Sequence, residues 1–169
     1  MLTDLIQIRL LGDKKRPENE RFRKYLKIHD HSERRMRHIA EEIEEQIDCT
    51  ICANCCRVAT VRLSERDIER LSRHLSLKRA TFLSKYTVFD DEEGLILRRS
   101  EVEGCVFLEG NACQVYEARP DTCSRFPNVV RGAGSIASRM WQFIDRACYC
   151  PIVYNSLEAF KIETGFKEA

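Results

Sequence analysis

The feature that most constrains this chain is the run Cys49-x-x-Cys52-x-x-Cys55-Cys56. Two residues between cysteines let the backbone fold back so that neighbouring sulfurs converge on one centre, the spacing used in zinc knuckles and ferredoxin loops. A second group follows at Cys105, Cys113 and Cys123. Near the end come Cys148 and Cys150, the latter followed by Pro151. Three local cysteines with a remote Cys-Pro fit a ferredoxin-type cluster in part, the fourth ligand lying far along the chain. Burial as small hydrophobes accounts for one or two free cysteines, not for a set with doubled C-x-x-C spacing. Cys55 and Cys56 adjoin, and in an extended backbone they face opposite sides. Either one ligates while the other packs, or each serves a different centre.

The surroundings support metal over disulfide chemistry. The first residues, MLTDLIQIRLLGDKKR, lack the uninterrupted apolar region of a signal peptide, and no later run is long enough to span a bilayer. The expected location is therefore cytoplasmic. There, nine cysteines, an odd number, indicate metal or redox chemistry. The formal charge of +1 gives no reason to expect nucleic acid or an anionic membrane as partner. Charged residues at 33% against aromatic residues at 8% leave a modest core, which a metal staple would supplement.

The expected fold is α+β: a small, irregular, metal-organised domain with short helices and a β-hairpin, plus an N-terminal amphipathic helix. The organisation reads as a helical arm over 1–47, a cysteine-cluster domain over 48–155, and a C-terminal helix and tail over 156–169. Met36, Ile39, Ala40, Ile43 and Ile47 recur at helical spacing, predicting a helix from Ser32 to Ile47. Its apolar stripe packs on the chain's own core or meets a protein partner or second copy. Val58–Leu63 and Leu95–Arg99 read as strands, Ser64 and Asp67 as a capping box, and Ser76 as the cap of a further helix. The acidic stretch Asp90–Glu93 reads as a solvated turn. Cys105–Leu108 and Cys113–Tyr116 read as a hairpin around Gly110-Asn111. A two-residue loop pairs Leu108 with Cys113 and sends Cys105 and Cys113 to opposite faces, whereas a three-residue loop puts both on one face. Pro120 opens a short helix carrying Cys123. Val129–Ala147 is ambiguous between strand and helix, and Ser156 reads as the cap of a last helix.

The runs CTICANCC, LSERDIERLS and GCVFLEGNACQVYEARPDTCSRFP, with the final Cys-Pro, resemble the YkgJ-like cysteine-cluster family, described as a zinc- or iron-chelating domain. The resemblance covers residues 47 to 155. It implies eight motif cysteines as metal ligands: Cys49, Cys52, Cys55, Cys56, Cys105, Cys113, Cys123 and Cys150. Cys148 has no place in the motif and is the spare thiol. This chain departs from the family at Ala53 and Ile152, where members often carry Gly.

Four thiolates around zinc or an oxidised four-iron cluster leave a net negative site, which Arg119 and Arg125 are placed to offset. Tyr116 reads as a core residue, and His29, His31, His38 and His74 as surface residues. The expected function is coordination of iron, as an iron–sulfur cluster, or of zinc, with electron or group transfer as its use. The alternative is a structural zinc-binding interaction module without catalysis. The resemblance has a link to flagellin lysine N-methylases, but the chain has no glycine-rich nucleotide loop for S-adenosylmethionine. No Ser-His-Asp or Cys-His arrangement stands out, so any catalysis would belong to the metal.

Overall fold

A computed structural model describes residues 1–167. In chain order the elements are α1 (Leu5–Lys14), α2 (Arg16–Ile28), α3 (Glu33–Glu45), α4 (Cys49–Cys52), α5 (Asn54–Val58), α6 (Glu65–His74) and α7 (Arg79–Tyr86). The strands β1 (Thr87–Asp90), β2 (Gly94–Leu97), β3 (Arg99–Ser100), β4 (Gly104–Cys105), β5 (Leu108–Glu109) and β6 (Ala112–Cys113) follow. A 3-10 turn (Tyr116–Ala118), α8 (Asp121–Arg125), α9 (Ile136–Arg146) and α10 (Pro151–Glu163) complete the α+β chain. The chain forms two compact units, one from Met1–Asp48 with Pro127–Ala169, the other from Cys49–Phe126.

The first, or helical, unit is built from α1, α2, α3, α9 and α10. The N-terminal segment therefore shares its unit with the chain from Pro127 onward. Local signals set the helix starts: Asp4, Ser32 and Ser135 accept from the N–H groups of Gln7, Arg35 and Ser138, satisfying donors that a helix start leaves open. The predicted Ser32–Ile47 helix is α3, and its buried Met36 and Ala40 lie on the side that packs against α10. The ambiguous Val129–Ala147 stretch resolves into a loop and α9, whose Ile136, Met140, Phe143 and Ile144 are buried. Gly12 lets α1 come close: a Cβ there would stand 2.7 Å from the Ala147 carbonyl oxygen. Buried Lys161 is held by Glu18 at 2.7 Å and Glu158 at 2.8 Å. The last helix begins at Pro151 rather than at Ser156, because Pro151 is preset for a first helical position. Ser156 is then interior and fully buried.

The second, or cysteine, unit has α6 and α7 as its longest elements, with three two-stranded antiparallel sheets, β1–β2, β3–β4 and β5–β6. The capping box forms as expected, Ser64 and Asp67 each accepting from the other's backbone. Ser76 does not cap a helix: it sits at φ 55 just past α6, and Lys78 precedes α7. The strand expected over Val58–Leu63 reduces to one bridge, Arg62 opposite Ile96, because Val58 is still part of α5. The acidic turn joins β1 to β2, the Asp90 carboxylate accepting from the Glu92 and Glu93 N–H groups. The core gathers Val61, Leu63, Ile68, Leu71, Phe82, Leu97, Phe107, Val115 and Ala118, and Cys105, Cys113 and Cys123 pack against it.

Candidate metal centre

All nine cysteines are thiols. Seven belong to the cysteine unit. The run begins as two short helical turns, α4 carrying Cys49 and Cys52 and α5 carrying Cys55 and Cys56. Between them Ala53 adopts φ 45, ψ 15 and is buried. This is the left-handed region, which costs an L-residue free energy that Gly avoids. The departure from Gly noted in the sequence thus falls where the backbone most favours Gly. The helical backbone also changes the expectation for the adjacent cysteines. On α5 they are not splayed to opposite faces, and their thiols hydrogen-bond to each other.

The second group comes from two similar local structures. Cys105 ends β4 and Cys113 ends β6, and a turn follows each. The Cys105 sulfur accepts from the Phe107 N–H, and the Cys113 sulfur accepts from the Val115 N–H. An amide two residues on, pointing at sulfur, is a donor that favours thiolate over thiol. Phe107 and Val115 anchor these turns in the core. The hairpin loop is the two-residue one: Leu108 pairs with Cys113 and Glu109 with Ala112 around Gly110-Asn111. Cys105 nevertheless does not pair with Tyr116. The strand breaks at Val106-Phe107, and Cys105 pairs with Arg99 in a separate sheet. The break frees Cys105 from the opposite-face geometry of a continuous hairpin.

Several contacts join the groups. Gly104, at φ 79, lets β4 lie on α5, since a Cβ there would stand 2.7 Å from the Cys56 carbonyl oxygen. Arg57, next to Cys56, donates to the Cys52 carbonyl at 3.1 Å, to the Gly110 carbonyl at 3.0 Å and to Asn111 Oδ1. Asn111 Nδ2 in turn donates to the Ile51 carbonyl at 2.8 Å. Neither Arg57 nor Asn111 was singled out from sequence for this role. The only available signal was their position, beside Cys56 and at the hairpin turn.

The electrostatics show which thiols influence one another. Burial pushes Cys123 up to about 12, and negative charge on Cys105, Cys56 and Cys113 adds to the effect. Burial also raises Cys105 and Cys113, each further raised by Cys56. Cys56 moves the other way, to about 7, through the hydrogen bond with Cys55 and the charge of Arg57, against its burial. Arg119 stacks on the Tyr116 ring at 3.8 Å and favours the thiolates of Cys113 and Cys123. Arg125 instead pairs with Asp121 at 3.6 Å. Tyr116, expected in the core, is 48% exposed, the surface face of that stack. Among the described residues, no three Cys, His, Asp or Glu side chains are gathered tightly enough to hold an ion as they stand.

Cys148 and Cys150 belong to the helical unit. Cys150 is buried ahead of Pro151 at the start of α10. Cys148 is half-buried, accepts from Arg16 at 3.2 Å, and is pushed up to about 11 by burial and by Asp13. Among the histidines, His29 and His31 bond to the nearby Tyr25 and His29 carbonyls. His38 lies beside Glu42 and His74 is exposed at the end of α6.

Residues 48–151 match the CxxCxxCC family model, described as a putative zinc- or iron-chelating domain. No curated protein and no solved structure matches the chain.

Proposed function

The chain belongs to the CxxCxxCC, or YkgJ-like, family of zinc- or iron-chelating domains, and from that premise we propose that Cys56, Cys105, Cys113 and Cys123 bind its metal. The supporting observation is that charge on Cys56, Cys105 and Cys113 raises Cys123 and charge on Cys56 raises Cys105 and Cys113, which brings into one neighbourhood thiols carried by α5, β4, β6 and α8. The donor set fits a thiophilic metal. Burial and neighbouring charge keep Cys105, Cys113 and Cys123 as thiols while Cys56 is poised lower, and a cation placed among them replaces the remaining protons.

The first reading is iron as an iron–sulfur cluster, favoured by the thiol-only donors and the adjoining Cys49, Cys52 and Cys55 at C-x-x-C-x-x-C spacing. Zinc is the second reading, favoured because four thiolates complete a tetrahedral site with no further ligand. A bound cluster supplies one-electron transfer, and bound zinc a cross-link. In either case the chain's own residues balance the charge: the Phe107 and Val115 amides point at sulfur, and Arg119 offsets the excess negative charge.

Anaerobic purification of the whole chain, with iron, acid-labile sulfide and zinc analysis and an absorption spectrum, tests the proposal. Brown protein with iron and sulfide is the expected result. Colourless protein with stoichiometric zinc selects the second reading. Cys123→Ser is expected to lower metal content in either case. Full wild-type metal content in both Cys105→Ser and Cys123→Ser overturns the ligand assignment.

A further inference from the structure

Cys123 sits on a helix of five residues, too short to fix its own place. The chain leading into it is held from α6. Arg70 donates from Nε to the Ala118 carbonyl at 3.3 Å, and from Nη2 to the Arg119 carbonyl at 3.0 Å and Asp121 Oδ1 at 3.2 Å. The same Nη2 is paired with Asp67 Oδ1. Asp67 is 2% exposed. Its Oδ1 also accepts the Asp121 N–H at 3.0 Å, and its Oδ2 accepts the Ser64 N–H at 2.9 Å and hydroxyl at 2.6 Å.

A buried carboxylate persists only when its oxygens are satisfied. One oxygen of Asp67 completes the cap of α6, and the other holds the first residue of the helix that carries Cys123. Arg70 gathers two successive carbonyls and two carboxylates with one planar fork, an arrangement a lysine ammonium does not reproduce. This is more than a helix cap requires. Every partner of the pair beyond α6 and its cap lies within Ala118–Asp121, the segment that sets where the Cys123 thiol stands.

We propose that Asp67 and Arg70 are positioning residues for the metal centre, locking Ala118–Asp121 so that Cys123 is presented to Cys56, Cys105 and Cys113. The proposal rests on the thiolate-centre reading above. Without the pair, the segment must be ordered by the metal, and binding weakens by more than the loss of fold stability explains.

The probe is cobalt(II), titrated anaerobically into the reduced full-length chain against a competing chelator. The readouts are affinity and the sulfur-to-cobalt charge-transfer intensity, which reports the number of bound thiolates. Arg70→Lys and Asp67→Asn are compared with Phe82→Leu, a core change in the same unit. Outer-shell partners of metal ligands are worth about 10–100-fold in affinity, and at least tenfold loss is expected for Arg70→Lys. The charge-transfer intensity per cobalt is expected to fall in both anchor variants, while Phe82→Leu keeps the wild-type band. Wild-type affinity and intensity in both anchor variants overturn the inference while leaving the thiolate centre standing. Losses no larger than those of Phe82→Leu at matched stability do the same. A wild-type chain with no charge-transfer band overturns the centre and the inference together.

Discussion

The two units bury very different cores. Of the twelve largest fully buried side chains, nine lie in the helical unit: Phe22, Phe143, Phe160, Ile8, Met36, Ile136, Met140, Ile152 and Leu157. The cysteine unit supplies three, Phe82, Ile68 and Leu71. Its strands are two to four residues long, and α4, α5 and α8 have four or five residues each. Such elements do not hold their shape alone. The helical unit uses apolar burial where the cysteine unit places thiols around a small core. If the proposed thiolate centre forms, metal supplements the small apolar core of the cysteine unit, whereas the helical unit relies on apolar burial.

The comparison can be broken most directly by removing metal. Structural thiolate sites contribute on the order of 10 kcal/mol, so chelation is expected to abolish hydrogen-exchange protection across α6, α7 and β1–β2. Protection in α3, α9 and α10 should persist, and its equal loss would break the contrast. Next in size is Phe143→Ala in the helical unit, expected to cost about 3–5 kcal/mol while metal content stays unchanged.

Asp67 gives a smaller, pH-dependent effect. Burial alone would raise its pKa, but the Ser64 and Asp121 hydrogen bonds and Arg70 hold it below the ordinary 3.8. Its contribution is therefore complete above that value and is lost as pH falls through the lower folded value. Asp67→Asn is expected to cost about 1 kcal/mol at neutral pH, as lost caps do. Acid denaturation profiles of the cysteine unit should begin to converge with wild type as pH falls below 3.8 and meet only below the lower folded value. Ala53→Gly should act in the opposite direction, stabilising the unit by about 1 kcal/mol through relief of the left-handed backbone. Equilibrium unfolding of the metal-loaded chain measures it. Least of all, Cys148→Ser is expected to leave metal content unchanged, and loss of metal there would move Cys148 into the ligand set.

The parts legible in the sequence are those governed by neighbours along the chain. The α3 periodicity, the Ser64–Asp67 capping box, the acidic turn and a hairpin turn at Gly110-Asn111 each depend on residues a few positions apart, whereas the length of that hairpin loop stayed open until the pairing of Leu108 with Cys113 settled it. The grouping of thiols was readable for the same reason, since C-x-x-C spacing is a local constraint. Where local signals competed, reading failed. Val58 has strand character but sits at the end of the α5 turn, Ser76 looks like a cap but lies past the end of α6, and Ser156 lost to Pro151.

Long-range pairing decided the rest. Whether Cys105 and Cys113 share a face depended on a strand break at Val106-Phe107, fixed by burying Phe107 beside Val115. The pairing of Arg57 with Asn111 and of Arg70 with the Ala118 and Arg119 carbonyls joins residues roughly fifty positions apart. Tyr116, read from the sequence as a core residue, lies at the surface instead, with Arg119 stacked on its ring. Residue type and spacing specify the candidate thiols and their local turns, because those depend on bonds and hydrogen bonds within a few residues. Which thiols lie near one another, and what ties the segment before Cys123 to α6, follows from packing and from arginines satisfying distant carbonyls, which only the folded chain brings within reach.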